Sequence, residues 1–200
     1  MKRAFLVLLA SGWLASAQAS AVGQGDAKAG ETKAAPCAAC HGPAGNSFNP
    51  LWPKLAGQGA PYTVKQLQKF KSGERMNPIM AAQAANLSEQ DMLDIAAYYA
   101  QQKPSLGAAL PELAAQGEKL YRGGNAESGV PACLGCHGPR GEGVAASAYP
   151  RIGGQQPGYT EAQLRAYRDG SRKAPMMSII TAKMTDEEIR AVSSYLAGLH

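Results

Sequence analysis

This 200-residue chain lacks three kinds of segment once its N-terminus is set aside. Beyond the N-terminus, no apolar run approaches the roughly 20 residues that a membrane-spanning helix needs. No stretch alternates apolar and polar residues as a half-buried β-strand does, and no basic block is interleaved with aromatic residues. The formal charge of +5 is mild. These absences argue against a membrane domain, a β-rich fold and a nucleic-acid partner.

The N-terminal segment has the three parts of a secretory signal peptide. A basic start (M-K-R) precedes an apolar run from Ala4 to Ala17, and a small-residue site, A-Q-A, follows. The run is too short for a membrane anchor, which is the alternative interpretation. We predict a signal peptide at residues 1–19, cleaved after Ala19 or, alternatively, after Ala21, and export of the mature chain to the periplasm.

The rest of the chain is a tandem repeat. The stretch CAACHGPAGNS at 37–47 matches CLGCHGPRGEG at 133–143, with a shift of 96 residues. After a one-residue insertion the shift becomes 97 and holds to the C-terminus. We predict two domains, at 20–104 and 112–200, joined by a linker at 105–111 within a segment that contains proline and glycine.

A helix is predicted to lead into each cysteine motif, and each of these helices contains a glycine. Glycine inside a helix costs about 1 kcal/mol relative to alanine, so Gly30 and Gly117 indicate close packing. We expect Tyr98 and Tyr195, on the last helix of each repeat, to pack against these two glycines.

Helix starts are visible at several other places. Thr63 and Thr160, each followed by glutamine three residues later, predict capping boxes that begin a middle helix in each repeat. Ser88 and Thr185 are predicted N-caps of the last helices, with Glu188 completing a second box. The predicted fold class is all-α.

All four cysteines lie in two C-x-x-C-H motifs, 37–41 and 133–137. A pair of disulfides would be usual in an exported chain, but it would not require the histidines. Zinc needs four ligands, and each repeat offers only three. A dithiol redox pair normally accompanies a βαβ pattern, which is missing, and it would leave the histidines unexplained.

Covalent haem attachment accounts for the whole motif. C-x-x-C-H is the c-type attachment sequence, in which two thiols add to the haem vinyl groups and the histidine binds the iron. The sequence therefore predicts two haem c groups. The predicted attachment residues are Cys37, Cys40, Cys133 and Cys136, and the predicted proximal iron ligands are His41 and His137.

Methionine is the candidate for the second axial ligand, because no further histidine lies within the repeats. Methionine–histidine ligation raises the reduction potential of a haem. Under the 97-residue shift, Met80 and Met177 are the two methionines that coincide, and they are the predicted ligands. Met76 and Met176 are the alternatives.

A proline followed by a basic residue comes after each motif. The carbonyl of Pro53 or Pro150 either accepts the Nδ1–H of the proximal histidine, which would orient the ring, or only forms a rigid turn. The neighbouring Lys54 and Arg151 either balance the haem propionates or are solvated.

The mature chain resembles the cytochrome c4 family. The resemblance rests on both motifs, on PKLAGQ and its repeat PRIGGQ, on RGG before the second motif, on the axial methionines and on the ending SSYLAGLH. It implies two class I cytochrome c domains related by a pseudo-twofold axis, with haems that approach each other near the domain interface.

The same resemblance implies a periplasmic electron carrier of a Gram-negative bacterium, loosely associated with the inner membrane. Such a carrier passes single electrons from the quinol-oxidising respiratory complex to a terminal oxidase or another redox partner. The main rival is a di-haem peroxidase-like enzyme, which would need an open iron site and polar distal groups. Both repeats offer a methionine instead, so we expect an electron-transfer protein that is not an enzyme and has no small-molecule substrate.

Overall fold

The computed structural model describes residues 24–200, which consist of helices and loops. The predicted signal peptide lies outside this range. Two isolated β-bridges are the nearest approach to a sheet within it, and none of its helices has the length and apolar character to cross a membrane. The helices in chain order are α1 (Ala27–Lys33), α2 (Ala38–His41), α3 (Ala60–Ser72), α4 (Pro78–Ala84), α5 (Glu89–Ala100), α6 (Pro111–Gly123), α7 (Leu134–His137), α8 (Pro157–Arg168), α9 (Pro175–Thr181) and α10 (Asp186–Gly198).

The first five helices and the last five form two similar units, which confirms the all-α prediction. In each unit the leading helix packs on the last one, α1 on α5 and α6 on α10. The middle helix, α3 or α8, packs on the same last helix and on the short helix that follows it, α4 or α9. Each cysteine motif ends in a single-turn helix, α2 or α7, and its first cysteine lies one residue before that helix.

The predicted capping boxes of the middle helices are wrong. Helices α3 and α8 begin three residues before the threonines, at Ala60 and Pro157. Thr63 and Thr160 lie inside the first turn, where their hydroxyls donate to carbonyls four residues earlier, 3.3 and 3.0 Å away. A proline at the first or second position begins each helix earlier, because its fixed φ suits the first turn and its missing N–H is not needed there.

The predicted caps of the last helices are confirmed. Ser88 accepts from Asp91 N–H at the start of α5, and the Asp91 carboxylate accepts from the Ser88 backbone in return. Thr185 and Glu188 form the same box at the start of α10. These boxes fix where the long buried helix of each domain begins.

The predicted glycine contacts are confirmed where the leading and last helices cross. A Cβ built on Gly30 would lie 2.9 Å from the Tyr98 Cβ and would overlap the Asp94 carbonyl oxygen. A Cβ on Gly117 would lie 2.5 Å from the Tyr195 Cβ. Only glycine permits these backbones to approach so closely.

A buried tyrosine anchors each core beside the cysteine motif. Tyr99 and Ile95 are 1% and 3% exposed in the first domain, and Cys37 packs against them. Tyr121 is fully buried in the second domain, where Cys133 packs against the same core. The motifs therefore pack directly against the buried core of each domain.

The crossing of α1 and α5 contains a buried carboxylate. Asp94 is 2% exposed and accepts from the Asp26 backbone N–H at 2.8 Å, from Gln90 at 2.7 Å and from Lys33 at 2.5 Å. The hydrogen bond from Lys33 is the main reason why the pKa of Asp94 is lowered. The matching residue in the second domain is Ala191, so only the first domain has a carboxylate at this position.

Asp94→Ala is expected to lower the free energy of unfolding by about 2 kcal/mol at neutral pH, because buried donors lose their acceptor. The lowered pKa makes this contribution complete above the ordinary aspartate pKa of about 3.9, and it is lost as the pH falls below that value. Urea unfolding followed by circular dichroism at pH 7 and pH 3 measures both effects. In the matched control, Asp186→Ala removes exposed ion pairs with Arg165 and Arg168, and a much smaller change is expected because solvent screens such pairs. A difference between wild type and Asp94→Ala that stayed constant down to pH 3 would contradict the prediction.

The two domains meet through reciprocal hydrogen bonds. The contacts of one arginine in each domain are repeated, 97 residues along, by its counterpart in the other, which is the pattern of an interface with twofold symmetry. The pairs are Arg75 with Tyr159 (3.0 Å) and Gln163 (2.8 Å), and Arg172 with Tyr62 (2.9 Å) and Gln66 (3.1 Å).

Candidate haem-attachment sites

Each C-x-x-C-H motif forms one helical turn that presents its two thiols together. Residues three apart lie on the same face of a helix, which places Cys37 beside Cys40 and Cys133 beside Cys136. All four thiols are half-buried and none is in a disulfide.

The histidine that ends each motif is held in one orientation. The Nδ1 of His41 lies 2.9 Å from the Pro53 carbonyl oxygen, and the Nδ1 of His137 lies 3.0 Å from that of Pro150. Because a carbonyl only accepts, Nδ1 carries the proton and Nε2 keeps its lone pair for a metal. Of the two roles considered for the prolines, the structure shows the hydrogen bond to the histidine.

Burial favours a neutral imidazole in both motifs. His41 and His137 are each 8% exposed. This burial lowers the pKa of both histidines, and the hydrogen bonds to the proline carbonyls oppose the effect only in part. A neutral, oriented imidazole is the form that binds iron.

The first thiol of each motif has the wrong acidity for dithiol redox chemistry. Burial raises the pKa of Cys133 to about 11 and also raises that of Cys37. Redox-active cysteines depend on a lowered pKa, since the thiolate is the reactive form. Residues 24–200 also contain no cluster of three or more His, Cys, Asp or Glu side chains suited to a metal ion, so the two cysteine pairs do not meet as a zinc site.

Met80 and Met177 occupy the same place in the two domains. Each is the third residue of a seven-residue helix that begins with proline, α4 or α9, and each is half-buried. The alternatives, Met76 and Met176, are 84% and 59% exposed. The proximal histidine and the methionine of each domain thus come from different helices, α2 with α4 and α7 with α9.

The basic residues after the prolines differ in their contacts. Lys54 donates through Nζ to the Ser105 carbonyl at 2.7 Å. The Nε of Arg151 is buried without a hydrogen-bond partner in the described part of the chain, and burial lowers the pKa of this guanidinium. A haem propionate would satisfy such a donor. The paired thiols, the oriented imidazole and this guanidinium therefore fit haem c.

A pair of glutamines links the two segments that follow the cysteine motifs, and sequence reasoning did not single them out. Gln155 Oε1 accepts the Lys54 backbone N–H at 2.8 Å, and its Nε2 donates to the Lys54 carbonyl at 3.0 Å. Gln58 binds the backbone of Arg151 in the same way, at 2.8 and 3.0 Å. The repeated glutamine that ends PKLAGQ and PRIGGQ was the available signal.

Comparison with known proteins identifies the family. The family described as Cytochrome c matches residues 27–103 and again residues 114–200. The chain is 51% identical to cytochrome c4 of Thiocapsa roseopersicina, covering 91% of this chain and 97% of that protein. It is 50% identical to cytochrome c4 of Pseudomonas aeruginosa, covering 88% and 90%.

A solved structure agrees with the fold described above. The crystal structure of reduced recombinant cytochrome c4 from Pseudomonas stutzeri superposes with a TM-score of 0.85 at 48% identity, covering 88% of this chain and all of that one. With two cytochrome c domains and a C-x-x-C-H motif in each, the chain carries two covalently bound haem c groups. It belongs to the cytochrome c4 family of di-haem electron carriers.

Proposed function

We propose that this protein carries single electrons in the periplasm, from the quinol-oxidising respiratory complex to a terminal oxidase or another redox protein. The observation that supports it best is the duplicated motif in which a buried histidine is fixed through Nδ1. Each domain, 20–104 and 112–200 by our proposal, would present one haem to a partner.

Each haem supplies a one-electron Fe(III)/Fe(II) couple when bound. We assign its attachment to Cys37 and Cys40 in the first domain, and to Cys133 and Cys136 in the second. We assign the axial positions to one histidine and one methionine in each domain: His41 with Met80, and His137 with Met177.

The chain's own residues would keep the coordination closed. The Pro53 and Pro150 carbonyls hold the two imidazoles in place. Met80 and Met177 would be the second protein ligands, and ligation by both residues would leave no position for a substrate oxygen. A soft thioether ligand favours the reduced iron and raises the potential. Small rearrangement between oxidation states suits electron transfer, and the comparisons give the peroxidase alternative no support.

Location in the periplasm of a Gram-negative bacterium is supported by the N-terminal sequence, with its basic start, apolar run and small-residue site. The formal positive charge would favour loose association with anionic headgroups of the inner membrane or with an acidic face of a redox partner.

Haem content and redox behaviour of the purified protein test the proposed function. We expect two haems per chain, both low-spin, each taking up one electron in a spectroelectrochemical titration. Reduction by a quinol-oxidising complex in isolated membranes, followed by reoxidation through a terminal oxidase, would support the proposed partners. One haem per chain, or a stable five-coordinate haem that consumes peroxide, would overturn the electron-carrier assignment.

A further inference from the structure

We propose that Gln155 and Gln58 are positioning residues that tune the reduction potential of the haem in the opposite domain. The inference rests on the proposed ligation by His41 and His137. It goes beyond that ligation because each histidine is linked, through a single peptide group, to a side chain of the other domain.

The link is a continuous chain of hydrogen bonds. His41 Nδ1–H donates to the Pro53 carbonyl, and the N–H of the same peptide group, on Lys54, donates to Gln155 Oε1. The two distances are 2.9 and 2.8 Å. The residues that form the ends of this chain, His41 and Gln155, belong to different domains.

The second domain repeats the arrangement in the opposite direction. His137 Nδ1–H donates to the Pro150 carbonyl, and the N–H of that peptide group, on Arg151, donates to Gln58 Oε1. The distances are 3.0 and 2.8 Å. Reciprocity between the two halves shows that the bridge is a built feature of the interface.

Each glutamine side chain is also held by a hydrogen bond from the backbone of its own domain. Gln155 is 9% exposed, and its Oε1 also accepts the Gln156 backbone N–H at 2.9 Å. Gln58 is 7% exposed, and its Oε1 accepts the Gly59 N–H at 3.1 Å. The amide is thus held at one end by its own chain, so its oxygen points at the neighbouring peptide with little freedom to turn away.

The physical effect follows from polarisation of the shared peptide group. An acceptor on the Lys54 N–H makes the Pro53 carbonyl oxygen more negative, and hydrogen bonds in a chain strengthen one another by roughly 10–30%. A stronger acceptor at Nδ1 makes the His41 ring a better electron donor, which stabilises ferric iron. The Gln155 side chain therefore lowers the potential of the first haem, and Gln58 lowers that of the second.

The test is a crossed shift in potential. Gln155→Leu removes the acceptor, and we expect the first-domain haem to become easier to reduce by about threefold in equilibrium constant, or about 30 mV at 59 mV per tenfold change. The second-domain haem should not move. Gln58→Leu should give the opposite pattern. Potentials of the individual haems are read from their ferric haem-methyl resonances in a redox titration of the holoprotein.

A second measurement separates tuning from a purely structural role. The Nδ1–H resonance of the ligand histidine in the ferrous protein should shift upfield for His41 in Gln155→Leu, and for His137 in Gln58→Leu. Gln156→Leu is the matched control, because it breaks a 2.6 Å hydrogen bond across the same interface, to the Ser47 carbonyl, without touching either proline peptide. It should move neither haem. If Gln155→Leu does not fold, Gln155→Met removes the same acceptor with an unbranched side chain.

The outcomes distinguish this inference from the proposed function. The charge-transfer band of methionine-ligated ferric haem tests the ligation, and its absence from the wild-type protein would overturn the ligand assignment itself. With that band present, no shift in either glutamine variant, a shift of the haem in the substituted domain, or an equal shift of both haems would overturn the bridge. A shift confined to the opposite haem supports it.

Discussion

Replacing Met177 with alanine is expected to leave both haems covalently attached while it removes the axial thioether from one iron. The charge-transfer band of methionine-ligated ferric haem should fall to about half, because one of two contributing haems is lost. The potential of that haem should drop by on the order of 0.1 V, within the ~0.8 V range over which axial ligands set haem potentials. Met80→Ala should have the same effect on the other haem, and the double variant should lose the band completely.

The neighbouring methionines supply matched controls. Met76 and Met176 precede the proposed ligands by four residues and one residue and are largely exposed. Met76→Ala and Met176→Ala should keep the full band and both potentials. Loss of half the band in either of these variants, with Met80→Ala or Met177→Ala unchanged, would transfer the ligand role to the exposed methionine and contradict the assignment.

The candidate site could be predicted from the sequence because its residues occur in both repeats. A covalent motif needs its thiols and imidazole at one fixed spacing. That spacing makes the motif recognisable at Cys37, Cys40 and His41. The second copy then converts an ambiguous set of methionines into one matched pair, Met80 and Met177. The carbonyl of Pro53 could be proposed for the same reason, since a proline follows both motifs.

Local capping chemistry was predictable only where nothing competed with it. Ser88 and Thr185 cap their helices as expected, because no proline precedes them. Thr63 and Thr160 carry an equally good signal, but a proline two or three residues earlier begins the helix first. The prediction failed because the proline and the threonine both signal a helix start here, and the proline determines where the helix begins.

Contacts between the domains were beyond sequence reasoning. Gln155 and Lys54 are 101 residues apart, and nothing in either local stretch indicates that one binds the backbone of the other. Arg75 and Arg172 likewise find their tyrosine partners only across the interface. Such pairs depend on how two finished domains dock, which periodicity and propensity do not encode. The repeat did mark these residues as matched, without showing what they contact.

Gly117→Ala is expected to destabilise the second domain by about 2–3 kcal/mol, although alanine is the better helix former by about 1 kcal/mol. The added methyl group would overlap the Ala191 carbonyl oxygen and lie 2.5 Å from the Tyr195 Cβ. Neither group can yield, because both belong to buried or half-buried parts of α10 that pack on α6. The two helices must separate, and the core beside Cys133 must loosen with them.

Gly123→Ala is the matched control, since Gly123 ends the same helix and its added Cβ would meet nothing within 4 Å beyond its chain neighbours and its own helix backbone. The free energy of unfolding of the Gly123→Ala variant should stay within about 1 kcal/mol of the wild-type value. Guanidinium unfolding of the holoprotein, followed by helical circular dichroism and by the methionine–haem band, measures both variants. Because Gly117 lies in the second domain, the band of the haem in that domain, for which Met177 is the proposed ligand, should be lost first. Equal stability of the two alanine variants would show that α6 and α10 can separate without cost, and that the close crossing does not stabilise the domain.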